Sequence, residues 1–150
     1  MSDPLYKKEL LRLAADATGA GRLAEPSTTG VAHNPVCGDR VTVDLIIRNE
    51  RIAGIAHDTK ACVLAQASAT ILGSDVVGLS RAEIAVLHQS VSAMLQGEGP
   101  PSAPCNAFSV FDGVVEHRNR HRCVLLPIEA ILIAFDALET PEPGGEGAEG

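Results

Sequence analysis

The sequence predicts an α+β fold, a small antiparallel sheet with helices packed against it. Three observations point there. Val41, Val43, Leu45 and Ile47 alternate with Arg40, Thr42, Asp44 and Arg48, the period of a half-buried strand, broken only at Ile46. Asn49-Glu50 then reads as a turn into a return strand near residues 52–58, which makes a hairpin. Helical apolar spacing fills most of the remaining chain. The hydrophobic fraction is 45% but aromatics are only 3%, so the core must be closely packed Ala, Val, Ile and Leu.

Residues 3–16 read as a first helix, with Asp3 as cap, Pro4 in the first turn, and Leu10, Leu11 and Leu13 as an incomplete apolar face. Residues 17–35 are rich in Gly, Thr, Ser and Pro and read as mostly irregular, with room for a short extended piece. Residues 62–72 read as a helix whose Ala65, Ala67 and Ala69 can lie close to a sheet. The clearest helix is 80–96. Ser80 and Glu83 match a capping box, Ile84, Leu87, Val91, Met94 and Leu95 share one face, and Gly97 ends it. A Gly/Pro-rich loop covers 97–104. The last helix is predicted over 124–138, with Leu125, Ile128, Leu132 and Phe135 on one face and Pro127 in its first turn. One folded domain therefore spans residues 1–138. The acidic Gly/Pro-rich tail, 139–150, reads as disordered by composition.

A chain of 150 residues can bury a core without disulfides. The net charge of −7 argues against general nucleic-acid binding, with residues 118–122 a local basic exception. The first residues lack the apolar core of a secretory signal. No run approaches the roughly 18 apolar residues of a membrane span. The expected location is the cytoplasm, where cysteine groups more often bind metal or do chemistry than form disulfides.

Three of the four cysteines sit in settings suited to thiolates. Cys37 lies in Asn34-Pro35-Val36-Cys37-Gly38-Asp39, Cys62 opens a helix, and Cys123 closes Arg118-Asn119-Arg120-His121-Arg122. A helix N-terminus stabilises a thiolate, and Lys60 and the arginines favour one electrostatically. The predicted hairpin brings the ends bearing Cys37 and Cys62 to one edge. Three thiolates with Asp39 make a workable tetrahedral set for zinc, or terminal ligands for a small iron–sulfur cluster. A carboxylate is a harder, weaker partner than a fourth thiolate, which suits transfer better than storage. The ordinary alternative is that free cysteines are small buried hydrophobes. It competes most strongly for Cys62, and it is preferred for Cys105. His121 reads as a solvated member of the basic loop, with a spare-ligand role as the alternative. Spacing alone is not diagnostic, because no Cys-x-x-Cys pair occurs.

These blocks together resemble the U-type iron–sulfur assembly family of IscU, SufU and the N-terminal domain of NifU. The residues that carry the resemblance are Asn34 to Asp39, Cys62 with Ala67-Ser68-Ala69, and Cys123. It extends from the first helix to about Leu138. The family fold, a small antiparallel sheet of about three strands with packed helices, agrees with the pattern above. The long interval from Cys62 to Cys123, Phe111-Asp112-Gly113-Val114 and Arg120 look closest to SufU. The Leu-Pro-Pro-Val-Lys chaperone motif of IscU is absent, and Arg122 stands where IscU carries a histidine. The resemblance implies a scaffold that holds a transient 2Fe–2S cluster on Cys37, Asp39, Cys62 and Cys123 and passes it to apo acceptor proteins. Its SufU side implies the alternative of a Zn2+-dependent sulfurtransferase, with Cys37 accepting persulfide sulfur. Either way the expected partner is a cysteine desulfurase of the SufS/IscS kind. Arg118, Arg120 and Arg122 are its candidate docking residues beside Cys123.

Overall fold

The computed structural model describes residues 8–16, 19–35, 38–98 and 106–139. Its elements run α1 (Lys8–Asp16), β1 (Thr28–Asn34), β2 (Asp39–Arg48), β3 (Arg51–Lys60), α2 (Val63–Asp75), α3 (Arg81–Leu95) and α4 (His121–Glu139). Two 3₁₀ segments, Asn106–Val114 and Arg118–Arg120, precede α4. The three strands form one antiparallel sheet in the order β1-β2-β3. The α+β class and the sheet follow the sequence pattern.

The hairpin matches the alternation closely. Val41, Val43 and Leu45 are buried toward the helices, and Arg48 pairs with Arg51 across the two-residue turn. Asn49 and Glu50 both have positive φ, 54° and 64°, as a turn matching the right-handed strand twist requires. The break at Ile46 marks a real irregularity. The register shifts there, Ile46 facing Gly54 while Ile47 faces Ile52, so β3 carries one extra residue.

Residues 28–34 form a full edge strand rather than an irregular stretch. Its Thr-Thr-Gly-Val-Ala-His-Asn sequence has only a weak strand signal because Gly30 serves packing instead. A Cβ on Gly30 would lie 2.5 Å from the Ala134 nitrogen and collide with the Ala130 carbonyl oxygen. Helix α4 therefore rests directly on the β1 backbone, and Thr28 Oγ1 donates to the Ala134 carbonyl at 2.7 Å.

The helices behave as their caps dictate. Ser80 and Glu83 form the complete reciprocal capping box of α3, and the five expected apolar residues are its buried ones. In α2, Ala65, Ala67 and Ala69 are all buried. Leu13 packs against the core, whereas Leu11 is 46% exposed. The side chain of Leu10 lies outside the described residues.

Helix α4 begins at His121, earlier than Pro127 suggests, because the Arg118–Arg120 turn runs straight into it. Pro127 consequently sits in the second turn, where it lacks the N–H that a normal residue would donate toward the Cys123 carbonyl. The buried face is also wider than the predicted stripe. Val124, Leu126, Ile128, Ala130, Ile131, Ala134 and Phe135 are buried, while Leu125 and Leu132 sit at its margins. A helix gripped by β1, β2, α2 and α3 has little outer surface.

Asp44 departs from the simple alternation. It lies on the face opposite the helices, yet it is fully buried, because residues 19–27 cross beneath it. Its carboxylate accepts from Arg22 Nε at 2.6 Å, Arg22 Nη2 at 3.1 Å, Leu23 N at 3.0 Å and Thr29 Oγ1 at 2.6 Å. The hydrogen bond from Arg22 holds its pKa below the ordinary carboxylate value, against the opposing effect of burial. Asp44 therefore stabilises the fold fully above the ordinary pKa of about 3.9, and that contribution is lost as pH falls through the depressed value. Asp44→Ala should cost about 2–4 kcal/mol by leaving the Thr29 hydroxyl and Leu23 amide unpaired. Urea unfolding should show a lower midpoint with an unchanged slope, and an unchanged midpoint would contradict this role.

Candidate metal centre

The period of β2 fixes where the site begins. Asp39 occupies the same parity as Val41, Val43 and Leu45, so its side chain faces the helical layer at the strand's first residue. It is only 8% exposed. Two helix N-termini meet it there. Cys62 is the N-cap of α2, in extended conformation with φ −69° and ψ 173°. Cys123 lies in the first turn of α4, 3% exposed.

One ligand atom from each of Asp39, Cys62 and Cys123 lies within 4.8 Å of the other two. Cys123 Sγ approaches Asp39 Oδ2 at 3.7 Å. Around a tetrahedral metal with bonds of about 2.3 Å to sulfur and 2.0 Å to oxygen, such a pair would stand roughly 3.5 Å apart. The Cys123–Asp39 pair is therefore spaced as a metal would need, and a Cys62 ligand atom lies within 4.8 Å of both. Both cysteines are free thiols rather than a disulfide.

The electrostatics favour an anionic sulfur at Cys62. Its pKa is lowered to about 6, first by the hydrogen bond from the Cys123 thiol, and further by the Ala65 and Leu64 amides. Burial and the Asp39 charge oppose this without overcoming it. Cys123 has one thiol proton and two acceptors within reach, the Cys62 sulfur and Asp39. Lys60 and the arginines are not among the leading influences on Cys62. The helix amides and a neighbouring thiol do what those cations were expected to do.

Packing holds the two helix ends together. Ser68, fully buried in α2, donates from Oγ to the Val124 carbonyl at 2.7 Å. Gln66 Nε2 donates to the Thr59 carbonyl at 3.0 Å, tying α2 to the end of β3. The loop between β1 and β2 closes with Gly38 N donating to Asn34 O at 2.8 Å, and Asn34 pairs with Asp39. Cys37 lies outside the described residues, as does Cys105.

The basic residues diverge around the site. Arg122 is paired with Glu129 at 3.4 Å, and Arg118 is exposed. Arg120 is half-buried. His121 is not a solvated loop residue. Its Nε2 faces the carbonyls of Val114 and Val115 at 3.1 and 3.0 Å, pinning the start of α4 to the preceding 3₁₀ segment. Within that segment Phe108 and Phe111 are fully buried, three residues apart, with ring centroids 5.6 Å from each other. Sequence reasoning did not single out the Ser68 tie as a contact, and nothing in the helical spacing distinguishes that hydroxyl from its alanine neighbours.

The profile of the NifU-like N terminal domain family matches residues 5–123. The chain belongs to this family. It is similar to the iron–sulfur cluster assembly scaffold protein IscU of Thermotoga maritima, 21% identical over 137 residues, covering 91% of this chain and 96% of that protein. It is also similar to the IscU scaffold protein of Streptococcus pyogenes serotype M1, 28% identical over 100 residues. That match covers 66% of this chain and 63% of the streptococcal protein, less than two thirds of its length. Among solved structures, the N-terminal NifU-like protein of Brucella abortus superposes with a TM-score of 0.84 at 31% identity, covering 91% of this chain and 96% of that one. A SUF-system assembly scaffold structure, FiSufU from Fervidobacterium islandicum AW-1, has the same fold, with a TM-score of 0.80 at 20% identity over 90% of this chain and 99% of that one. Of these two, identity is higher to the NifU-like structure than to the SufU-like one. Among the described residues, no helix is long and apolar enough to cross a membrane.

Iodoacetamide should alkylate Cys62 in the metal-free protein with a rate that rises through a midpoint near pH 6. An unperturbed thiol would titrate near 8.5. Replacing Cys123 with Ala removes the largest cause of the shift and should move the midpoint upward. A wild-type midpoint at the ordinary thiol value would refute the arrangement.

Proposed function

We propose that this chain is an assembly scaffold for iron–sulfur clusters. The observation that carries the reading is the convergence of Asp39, Cys62 and Cys123 at the end of the sheet. Membership of the NifU-like family supports it. The cargo is a 2Fe–2S cluster built from iron and sulfide, and Cys37 would supply the third thiolate beside these three groups.

The chain's own groups supply what such transfer needs. A Cys62 thiol with a pKa of about 6 is largely thiolate at neutral pH, so it takes iron without first surrendering a proton. Cys123 donates toward the Cys62 sulfur and Asp39, so metal entry must displace that proton, and ligation supplies the driving force for its loss. Asp39 contributes an oxygen, weaker toward iron than a fourth sulfur. The bound cluster is thereby held at one labile corner, which favours handing it to an acceptor protein. Zn2+ suits the same donors, and metal analysis of freshly isolated protein separates resident zinc from iron and sulfide. A persulfide relay through Cys37 has no separate observation in its favour.

Anaerobic incubation with ferrous iron and sulfide should give visible charge-transfer bands in the wild-type protein. The Cys37→Ala, Cys62→Ala and Cys123→Ala variants should each lose most of that absorption. Asp39→Cys should keep the cluster and slow its transfer to an apo-ferredoxin severalfold. No cluster in the wild type, or an unaltered one in the alanine variants, would sink the reading.

We further propose the cytoplasm as its location, residues 1–138 as the functional unit, and a cysteine desulfurase as the sulfide source. Exposed Arg118 and half-buried Arg120 stand close in sequence to Cys123 and would contact this donor, whereas Arg122 is engaged with Glu129. Exposed charges act over about 8 Å at physiological salt and contribute little each. Desulfurase affinity should therefore fall as salt rises, and Arg118→Ser with Arg120→Ser should weaken it while metal is retained. Unchanged affinity of the double variant at low salt would remove that role.

A further inference from the structure

The end of the sheet that presents Asp39 to the helices presents three basic side chains on its other face. His33 on β1 pairs in register with Arg40 on β2, and Arg40 pairs with Lys60 on β3. Register partners share a face of the sheet, so the three stand side by side across its full width. All three are exposed. They line a shallow open hollow of about 380 Å3 together with Gly38. Among the described residues, none of the three makes an ion pair or a side-chain hydrogen bond.

This row is costly on its own terms. Arg40 and Lys60, directly opposite one another on adjacent strands, repel, and an acidic residue in the row would relieve them. The nearest acid on this face, Asp58, lies one row further in, opposite Thr42, and also acts on Arg22. The whole chain carries 19 Asp and Glu against 12 Lys and Arg, so Arg40 and Lys60 side by side with His33 and no acid in the row are no reflection of composition. Its position is specific as well. Arg40 follows Asp39 directly, and Gly38 at the rim follows Cys37 in sequence.

We infer that His33, Arg40 and Lys60 form a docking strip for an acidic surface of the protein that delivers sulfur to Asp39, Cys62 and Cys123. The inference rests on the scaffold reading above and names a second contact for the same delivery, on the sheet face turned away from the helices. A partner that grips the strip covers the sheet end and lies beside the metal centre. The hollow is open and its basic groups are solvated, so it suits a broad complementary surface rather than an enclosed small anion. Solvated charges of this kind govern the rate and salt dependence of association more than its final tightness.

The test uses the full chain with Arg40→Glu and Lys60→Glu together, and a cysteine desulfurase from the source organism as probe. Circular dichroism and thermal unfolding first establish that the variant folds, and Arg40→Gln with Lys60→Gln serves as the milder pair if it does not. Cluster formation is then driven in two ways, by inorganic sulfide and by desulfurase with cysteine. The inference expects the variant to match the wild type with inorganic sulfide. It expects desulfurase binding weaker by about tenfold at low salt, with enzyme-driven assembly slowed in parallel. Equal desulfurase binding by variant and wild type, or no binding by the wild type, overturns the docking strip. Binding restored to equality by inorganic phosphate, but not by sodium chloride of the same ionic strength, would mark a small-anion site and also overturn it. Failure of the wild type to build a cluster from inorganic sulfide instead overturns the scaffold reading, and the binding comparison still decides the strip.

Discussion

The contact on which the architecture depends is the bare approach of α4 to β1 at Gly30. Without a side chain there, the helix backbone around Ala130 and Ala134 lies against the strand. β1 and α4 run side by side, with Thr28 near Ala134, so the N-terminal end of the helix arrives where β1 ends and β2 begins. That fixes the height of Cys123 relative to Asp39. A bulkier residue at position 30 would lift the helix and move a sulfur away from the carboxylate, although the two positions are far apart in sequence.

The second constraint ties the other helix to the same point. The capping position of α2 carries Cys62, and the Ser68 hydroxyl bonds to the carbonyl of Val124, one residue beyond Cys123. Two helix N-termini are thus brought together, each with amide groups that want a negative partner. The fold resolves this with thiolate character rather than with an ordinary Ser or Asp cap. The result is reactive sulfur in a largely enclosed place, stabilised first by the neighbouring thiol and then by the helix amides rather than by nearby cations.

Much of this was legible in the chain. The alternation from Val41 to Ile47 placed β2, the strand whose first residue in the structure is Asp39. Ser80 and Glu83 located α3 because capping is local chemistry. The elements that the sequence concealed are those decided by distant partners. β1 is concealed by a glycine placed there for α4 rather than for strand formation. Asp44 reads as an outward residue, and no periodicity reveals that residues 19–27 pass beneath it. Pro127 suggested a later helix start because the turn that nucleates α4 lies upstream, anchored by His121. At the site, Asp39, Cys62 and Cys123 converge as their sequence contexts imply, while the cationic strip depends on strand register and so needed the three-dimensional pairing. The SufU-like features of the chain sit beside a higher identity to the NifU-like structure of Brucella abortus, 31% against 20% for FiSufU.

The central claim is that Asp39 and the cysteine sulfurs hold one cluster with an oxygen at one corner. Mössbauer spectroscopy of the iron-57 protein, loaded anaerobically, addresses it most directly. An oxygen ligand on one iron makes the two ferric sites inequivalent, so two quadrupole doublets of equal area are expected. In Asp39→Cys they should merge toward a single all-sulfur signature. Two identical sites in the wild type, unmoved by that substitution, would contradict the account.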